Sequence, residues 1–368
     1  MREKNYGIEW LRILSMYMVA VLHTLGQGGI LSSFQQGTLE YNIAWFLETS
    51  AYGAVDCFAL ISGYVGWHSH FSYRKGLRIW LQTFFYTIGI TVLFAIFMPE
   101  AVAKEQWLGA FFPIMQKQYW YMTAYAGLFV LIPILNRAIA ELSKKDLLRI
   151  CLAIFVVFSL LPTVFNVTVF GLGGGYSVIW LMLLYILGGF WGRVGKSETT
   201  SHGDRASGPK GPRSPVPMAC PVPVTALTRL LAILIYLFCT AISFYLKLSG
   251  FSQYVSYTSP TILLGSCSLF FLFSSLKCGK ISRKIAAFLA PSALSVYLIH
   301  VNPLVWDHIM LYFAVGHVPS GPALGIWVIG AAFGIYLVCT LIDLPRRGIW
   351  YLVGHIMKIK SRRQGKWH

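Results

Sequence analysis

Ten times along this chain a run of roughly twenty mostly apolar residues recurs, the length an α-helix needs to cross the hydrocarbon layer of a bilayer. The runs lie near residues 8–28, 42–66, 79–98, 119–136, 150–170, 176–192, 230–247, 258–276, 286–307 and 323–344. The run at 176–192 is short, and 286–307 contains Pro291 and Pro303. Of the 368 residues 56% are hydrophobic and only 12% charged, against about 25% charged in soluble domains. So few charges cannot cover a water-facing exterior. High apolar content and seven scattered cysteines also exclude a disordered chain and a disulfide scaffold. The expected fold is an all-α integral membrane protein, a polytopic bundle of about ten transmembrane helices.

The basic residues orient it. An even number of spans puts both termini on one side, and 26 of the 30 lysines and arginines fall in the segments on that side, from Arg2 and Lys4 to the closing stretch after Arg346. The opposite side holds Lys104, Lys117 and Lys247, and Arg12 lies within a span. Positive charge collects in cytoplasmic loops, so both termini are expected in the cytoplasm. The same asymmetry explains the net charge of +17 without nucleic acid as a partner. The first run is full length and lacks a small-residue cleavage pattern, so a retained signal anchor is expected rather than a cleaved leader. No cysteine falls in an outer loop, so no structural disulfide is expected. Residues 195–228, rich in Gly, Pro and Ser, read as a flexible cytoplasmic linker. The chain thus divides into 1–194 with six spans, the linker 195–228, 229–345 with four spans, and a basic tail 346–368. Residues 100–118, with Trp107, Phe111 and Phe112, are either an interfacial amphipathic segment or a plain loop.

Ionisable residues inside spans are costly and point to function. The first span carries Glu9, Arg12 and His23. Arg12 and His23 stand eleven residues apart, three helical turns plus about 20°, so they share a face with about 16 Å between them. The second span carries Glu48 and Asp56, and His300 falls close to the depth of His23 in the ninth. Two histidines from different helices are therefore expected to line one cavity. Plainer readings stand beside these. His300 can simply bond a neighbouring helix, Glu9 and Arg12 can pair as i and i+3, Arg74 and Arg78 can be topological anchors, and Asp343, before Pro345, can end the last helix. His68 and His70 sit in a solvent-exposed turn. No His, Cys and carboxylate set has metal-ligand spacing, and no Walker-type glycine loop is present. No metal and no permanently bound cofactor are expected.

The segment IEWLRILSMYMVAVLH, residues 8–23, resembles the first helix of the membrane acyltransferase-3 family, whose marker is an Arg, ten residues and a His, here Arg12 and His23. AYGAVDCFALISGY (51–64), with Asp56, Ser62 and Gly63, resembles its second-helix motif, and YWYMTAYAGLFVLIPILN (119–136) its fourth-helix signature. LSVYLIH (294–300), with Tyr297 and His300, is similar to its late Tyr-Leu-x-His segment, and LIDLPRR (341–347) to the acidic-x-Pro sequence closing its last helix. The matches run in family order over nearly the whole chain.

The resemblance implies an integral membrane O-acyltransferase of the bacterial plasma membrane. Such an enzyme moves an acyl group, usually acetyl, from cytoplasmic acyl-CoA to a saccharide or lipid-linked acceptor of the cell envelope. On that reading His23 is a general base, with Arg12, Asp56 and Glu9 around it. Arg74, Lys75 and Arg78 hold the phosphates of acetyl-CoA or another acyl-CoA, and His300, Tyr297 and Glu48 are further candidates. Lys75 stands where the family carries an arginine, so a bidentate guanidinium contact is lost there. Glu9 stands where Asp is commoner. A transporter or exporter of an amino acid or polysaccharide is the alternative. It predicts internal repeats and helices broken at corresponding positions, neither of which the sequence displays.

Overall fold

The computed structural model describes residues 4–69, 71–201, 224–311 and 318–364. Arg2, His70, Lys366 and most of the 195–228 linker lie outside the described residues. Every apolar run is helical, and no strand occurs among the described residues. The helices are α1 (Tyr6–Leu25), α2 (Leu39–Ala51), α3 (Ala54–Gly66), α4 (Tyr73–Phe97), α5 (Lys104–Phe111), α6 (Trp120–Glu141) and α7 (Lys144–Val164). They continue as α8 (Val178–Ser201), α9 (Ala226–Leu248), α10 (Pro260–Ser274), α11 (Lys280–His300), α12 (Pro303–Met310) and α13 (Ala323–Gln364). Seven segments are each long and apolar enough to span, and α11 with α12 supplies an eighth, bent by 71°. The chain is an all-α polytopic membrane protein.

Two of the ten expected spans are broken. The run 42–66 forms α2 and α3, interrupted at Tyr52 and Gly53. There Ser266 of α10 donates to the Gly53 carbonyl at 3.2 Å and occupies the space a Cβ on Gly53 would need. The run 286–307 breaks at Val301 and Asn302. Asn302 caps α12 by accepting from the Leu304 amide at 3.1 Å, and Pro303 takes the first helical position, where its missing N–H costs nothing. The last helix, expected to end near Pro345, instead continues to Gln364. Residues 104–111, within the interfacial candidate segment, are helical.

Helix α1 is the axis of the bundle. It packs against α2, α3, α10, α11 and α13, and 67% of its apolar window is buried, against 22–44% in the other long spans. Its buried apolar residues lie on several faces, which suits such a position. Helix α10, only 15 residues, lies inward of the lipid-facing α9. Hydrogen bonds between loops and helix ends join segments of like expected side. At the basic end Asn5 donates to the Ser274 carbonyl (2.9 Å), Trp10 to Ser282 (2.8 Å), Arg229 to the Ser275 carbonyl (3.1 Å) and Arg193 to the carbonyls of Ile139 and Leu142. At the other end the Gly321 amide donates to Glu40 (2.8 Å) and Gln36 to the Leu248 carbonyl (3.0 Å).

Helices α3 and α8 make the closest pair. A Cβ on Gly63 would overlap the Tyr185 carbonyl, and one on Gly188 the Leu60 carbonyl. Small residues let membrane helices approach to backbone contact, where packing supplies the association energy. Gly188→Val is therefore expected to abolish monodisperse protein in detergent size-exclusion chromatography. Gly89→Ala, whose Cβ meets nothing within 4 Å, is expected to elute as wild type. Equal profiles for both would refute tight α3–α8 packing.

Candidate active site

A cavity of about 240 Å³ runs beside α1. Arg12, Met16, Val19 and His23 line it from one face of that helix, so it reaches from near the basic end to the opposite half of the bundle, about 16 Å along the axis. Val55, Phe58 and Ser62 of α3 form a second wall, Trp120, Tyr121 and Tyr125 of α6 a third, and Ala293, Leu294 and Tyr297 of α11 a fourth. Among the described residues Arg12 is the charged side chain of its wall; the others are apolar, aromatic or hydroxylic.

The two ends differ in chemistry. At the basic end Arg12 Nη1 lies 2.7 Å from Glu9 Oε2, and Lys4 Nζ lies 3.4 Å from Glu9 Oε1. Glu9 is thereby shared between two cations, and the Arg12 side chain remains 29% exposed on the cavity wall. At the far end His23 Nδ1 lies 2.9 Å from His300 Nε2. His300, wholly buried, turns its Nδ1 to the Val296 carbonyl. A carbonyl only accepts, so His300 Nδ1 carries a proton, and in the neutral ring Nε2 is left as acceptor. His23 Nδ1 must then be the donor. In neutral His23 the remaining nitrogen, Nε2, is left with a free lone pair. The hydrogen-bond network thus assigns both tautomers and makes His23 a base backed by a second imidazole.

The helix break builds this pair. His300 is the last residue of α11. Immediately beyond it Asn302 Nδ2 donates to the Tyr119 hydroxyl (3.1 Å), which itself donates to the Leu298 carbonyl (2.9 Å). Trp306 on the other arm stands edge-on to the His23 ring, with centroids 6.3 Å apart. The middle of α11 is held as firmly. The buried carboxylate of Asp343 accepts from Ser292 and Ser295 of α11 at 2.7 Å each, from Tyr86 of α4, and from Arg346 Nε at 2.6 Å and Nη2 at 3.0 Å.

The family model described as an acyltransferase domain, that of the acyltransferase-3 family, matches residues 5–344. The chain belongs to that family. No curated protein and no solved structure matches it. Members of the family are acyltransferases that transfer groups other than aminoacyl groups, and the matched region contains every residue of the cavity wall.

Within this membrane acyltransferase the residues singled out in the sequence separate into three groups. Arg12, His23 and Tyr297 line the cavity, and His300 stands directly behind His23. Arg74, Lys75 and Arg78 are exposed at the start of α4, where the next residue, Ile79, joins the cavity wall. Glu48 and Asp56 are buried away from it. Arg12 pairs with Glu9, whereas Asp56 accepts from Trp180 Nε1 at 3.0 Å. Asp56 therefore ties α3 to α8, while its neighbour Val55 faces the cavity. Asp343 is no helix terminator: it is the anchor of α11, inside a helix that continues. Trp306 and the Tyr119–Asn302 clasp carried one visible signal, the Asn302–Pro303 pair, a helix-start signature inside an apolar run. Among the described residues no three metal-ligating side chains converge.

Proposed function

We propose that this acyltransferase moves an acyl group, acetyl in the first instance, from cytoplasmic acyl-CoA to a hydroxyl of a cell-envelope saccharide or lipid-linked acceptor at the outer face of a bacterial plasma membrane. The observation that carries the reading is a single cavity with a guanidinium at its basic end and a histidine pair at the other. The nucleotide phosphates stay at the basic end, held by Arg74, Lys75 and Arg78, where charge-assisted contacts are strongest. The uncharged pantetheine arm extends past Arg12 toward His23. His23 Nε2 takes the proton of the acceptor hydroxyl as its oxygen attacks the thioester carbonyl carbon. The carbon–sulfur bond then breaks, and the departing thiolate takes that proton back from His23. The His300 ring steadies His23 throughout by accepting its Nδ1 proton. Tyr297, one turn before His300 on the wall, is the candidate hydrogen-bond donor to the thioester oxygen.

The direct test is release of CoA thiol from acetyl-CoA by the purified protein in detergent, with or without added acceptor. Release supports the reading; neither release nor acetyl-CoA binding would overturn it. Arg78→Ala is expected to raise the apparent KM for acetyl-CoA about tenfold, the loss of one charge-assisted contact of roughly 1.4 kcal/mol, with little change at saturation. An unchanged KM would leave Arg78 a topological anchor alone.

A further inference from the structure

The outer end of the His23 cavity is closed by aromatic rings. Trp120 and Tyr257 line the cavity and stack on each other, with centroids 6.1 Å apart and planes at 26°. Tyr176 packs on both, its centroid 4.5 Å from that of Trp120 and 5.0 Å from that of Tyr257. Aromatic pairs at these separations are in direct contact. Tyr257 is 5% exposed and Tyr176 52%, so Tyr176 is the outer layer of the closure. The three rings are not equally free. Trp120 begins α6. Tyr257 sits between two bonded neighbours: Ser256 donates to the Gly174 carbonyl at 3.1 Å, and the Thr258 carbonyl accepts from Ser159 at 2.7 Å. Tyr176 instead ends the glycine-rich loop between α7 and α8. Gly175, at φ +101°, lies so close that a Cβ there would overlap the Tyr257 Cβ, whereas one on Gly173 would meet nothing within 4 Å. The loop therefore seats directly on Tyr257 and is open just before that point.

The chemistry at His23 needs such a closure. Its free Nε2 takes a proton from water as it does from an acceptor hydroxyl. Water attacking the thioester carbonyl breaks the same carbon–sulfur bond, and the thiolate recovers the proton, but the products are free carboxylic acid and CoA thiol. The acyl group is then lost. At the basic end the pantetheine arm itself fills the cavity. At the outer end the donor covers nothing, so exclusion of water falls to the chain.

We infer that Tyr176, seated on Trp120 and Tyr257, is a water seal over His23 and so determines the specificity of the site for an acceptor hydroxyl over water. The inference rests on the proposed transfer reaction. Tyr176 acts by exclusion and touches no reacting atom, which makes it a positioning residue. Two measurements on the full chain test it. The first is release of CoA thiol from acetyl-CoA in detergent without acceptor. Tyr176→Ala is expected to raise it about tenfold, roughly 1.4 kcal/mol of barrier. Tyr176→Phe, which restores the ring, is expected to return it to the wild-type rate, and adding His23→Ala to Tyr176→Ala to abolish the gain. The second needs no turnover. Met122→Cys, on the cavity wall two residues beyond Trp120, is exposed to a membrane-impermeant methanethiosulfonate outside vesicles that hold the basic end in the lumen. Modification at position 122 is read by peptide mass spectrometry. It is expected to be slow with Tyr176 in place and about tenfold faster with Tyr176→Ala. Equal modification rates would overturn the inference, as would an acceptor-free release that Tyr176→Ala leaves unchanged in a protein whose wild type releases CoA. Faster modification in a chain that releases no CoA in any form would uphold the seal and strike the transfer reaction instead.

Discussion

His23→Ala is expected to lower acetyl-CoA-dependent thiol release by about 10²–10⁴-fold, the usual worth of a positioned general base, while the protein inserts and elutes as wild type. The alanine removes the one nitrogen of the pair that faces the cavity. His300→Ala keeps that base but removes the acceptor that holds its tautomer, so it too is expected to be slow. Groups that act as a unit are not additive. The double variant is therefore expected to be no slower than His23→Ala alone. Full activity in His23→Ala would refute the assignment of the base, and independent, multiplying losses would refute the coupling through the 2.9 Å contact.

The second large effect concerns Asp343. Its carboxylate is wholly buried and Arg346 is 9% exposed. Removing one member of such a pair leaves the other charge uncompensated, which costs about 3–5 kcal/mol. Asp343→Ala also removes the acceptor for the hydroxyls of Ser292 and Ser295 within α11, the helix that ends in His300. The expected result is a large fall in the thermal unfolding midpoint in detergent. Arg137→Ala, which breaks an exposed i,i+4 pair with Glu141, is expected to leave the midpoint unchanged, since exposed pairs contribute little. Equal midpoints for Asp343→Ala and wild type would show that the Asp343 cluster does not hold α11.

What could be read from the residues follows from the range of the forces involved. Every apolar run became helix because the bilayer ruler acts on a run as a whole. The shared face of Arg12 and His23 follows from helical period alone, and the cavity lies along it. The breaks were hidden because they are made by neighbours distant in sequence: Ser266 intrudes at Gly53, and Tyr119 clasps Asn302. The family resemblance named His23 and His300 but did not say that they touch. Shared depth is a one-dimensional statement, whereas contact depends on the 71° bend that ends α11 at that residue. The Asp343–Pro345 sequence reads as a helix end because proline interrupts the backbone ladder. The helix carries on because the turn around it is pinned from the side, Arg346 by Asp343 and Arg347 by the Phe288 carbonyl at 2.7 Å.

The wall between Arg12 and His23 has an electrical consequence. Carrying one elementary charge across 100 mV costs or yields about 2.3 kcal/mol. Between those two residues the lining is apolar, aromatic or hydroxylic, so the path suits a neutral chain and offers no counter-charge to an ion. A turnover that leaves the phosphates at Arg74 and Arg78 and passes only an acyl thioester inward moves no net charge through the membrane field. On the proposed reaction the enzyme is expected to be voltage-blind, its rate set by the acyl-CoA pool on one face and the acceptor supply on the other, not by the energisation of the membrane in between.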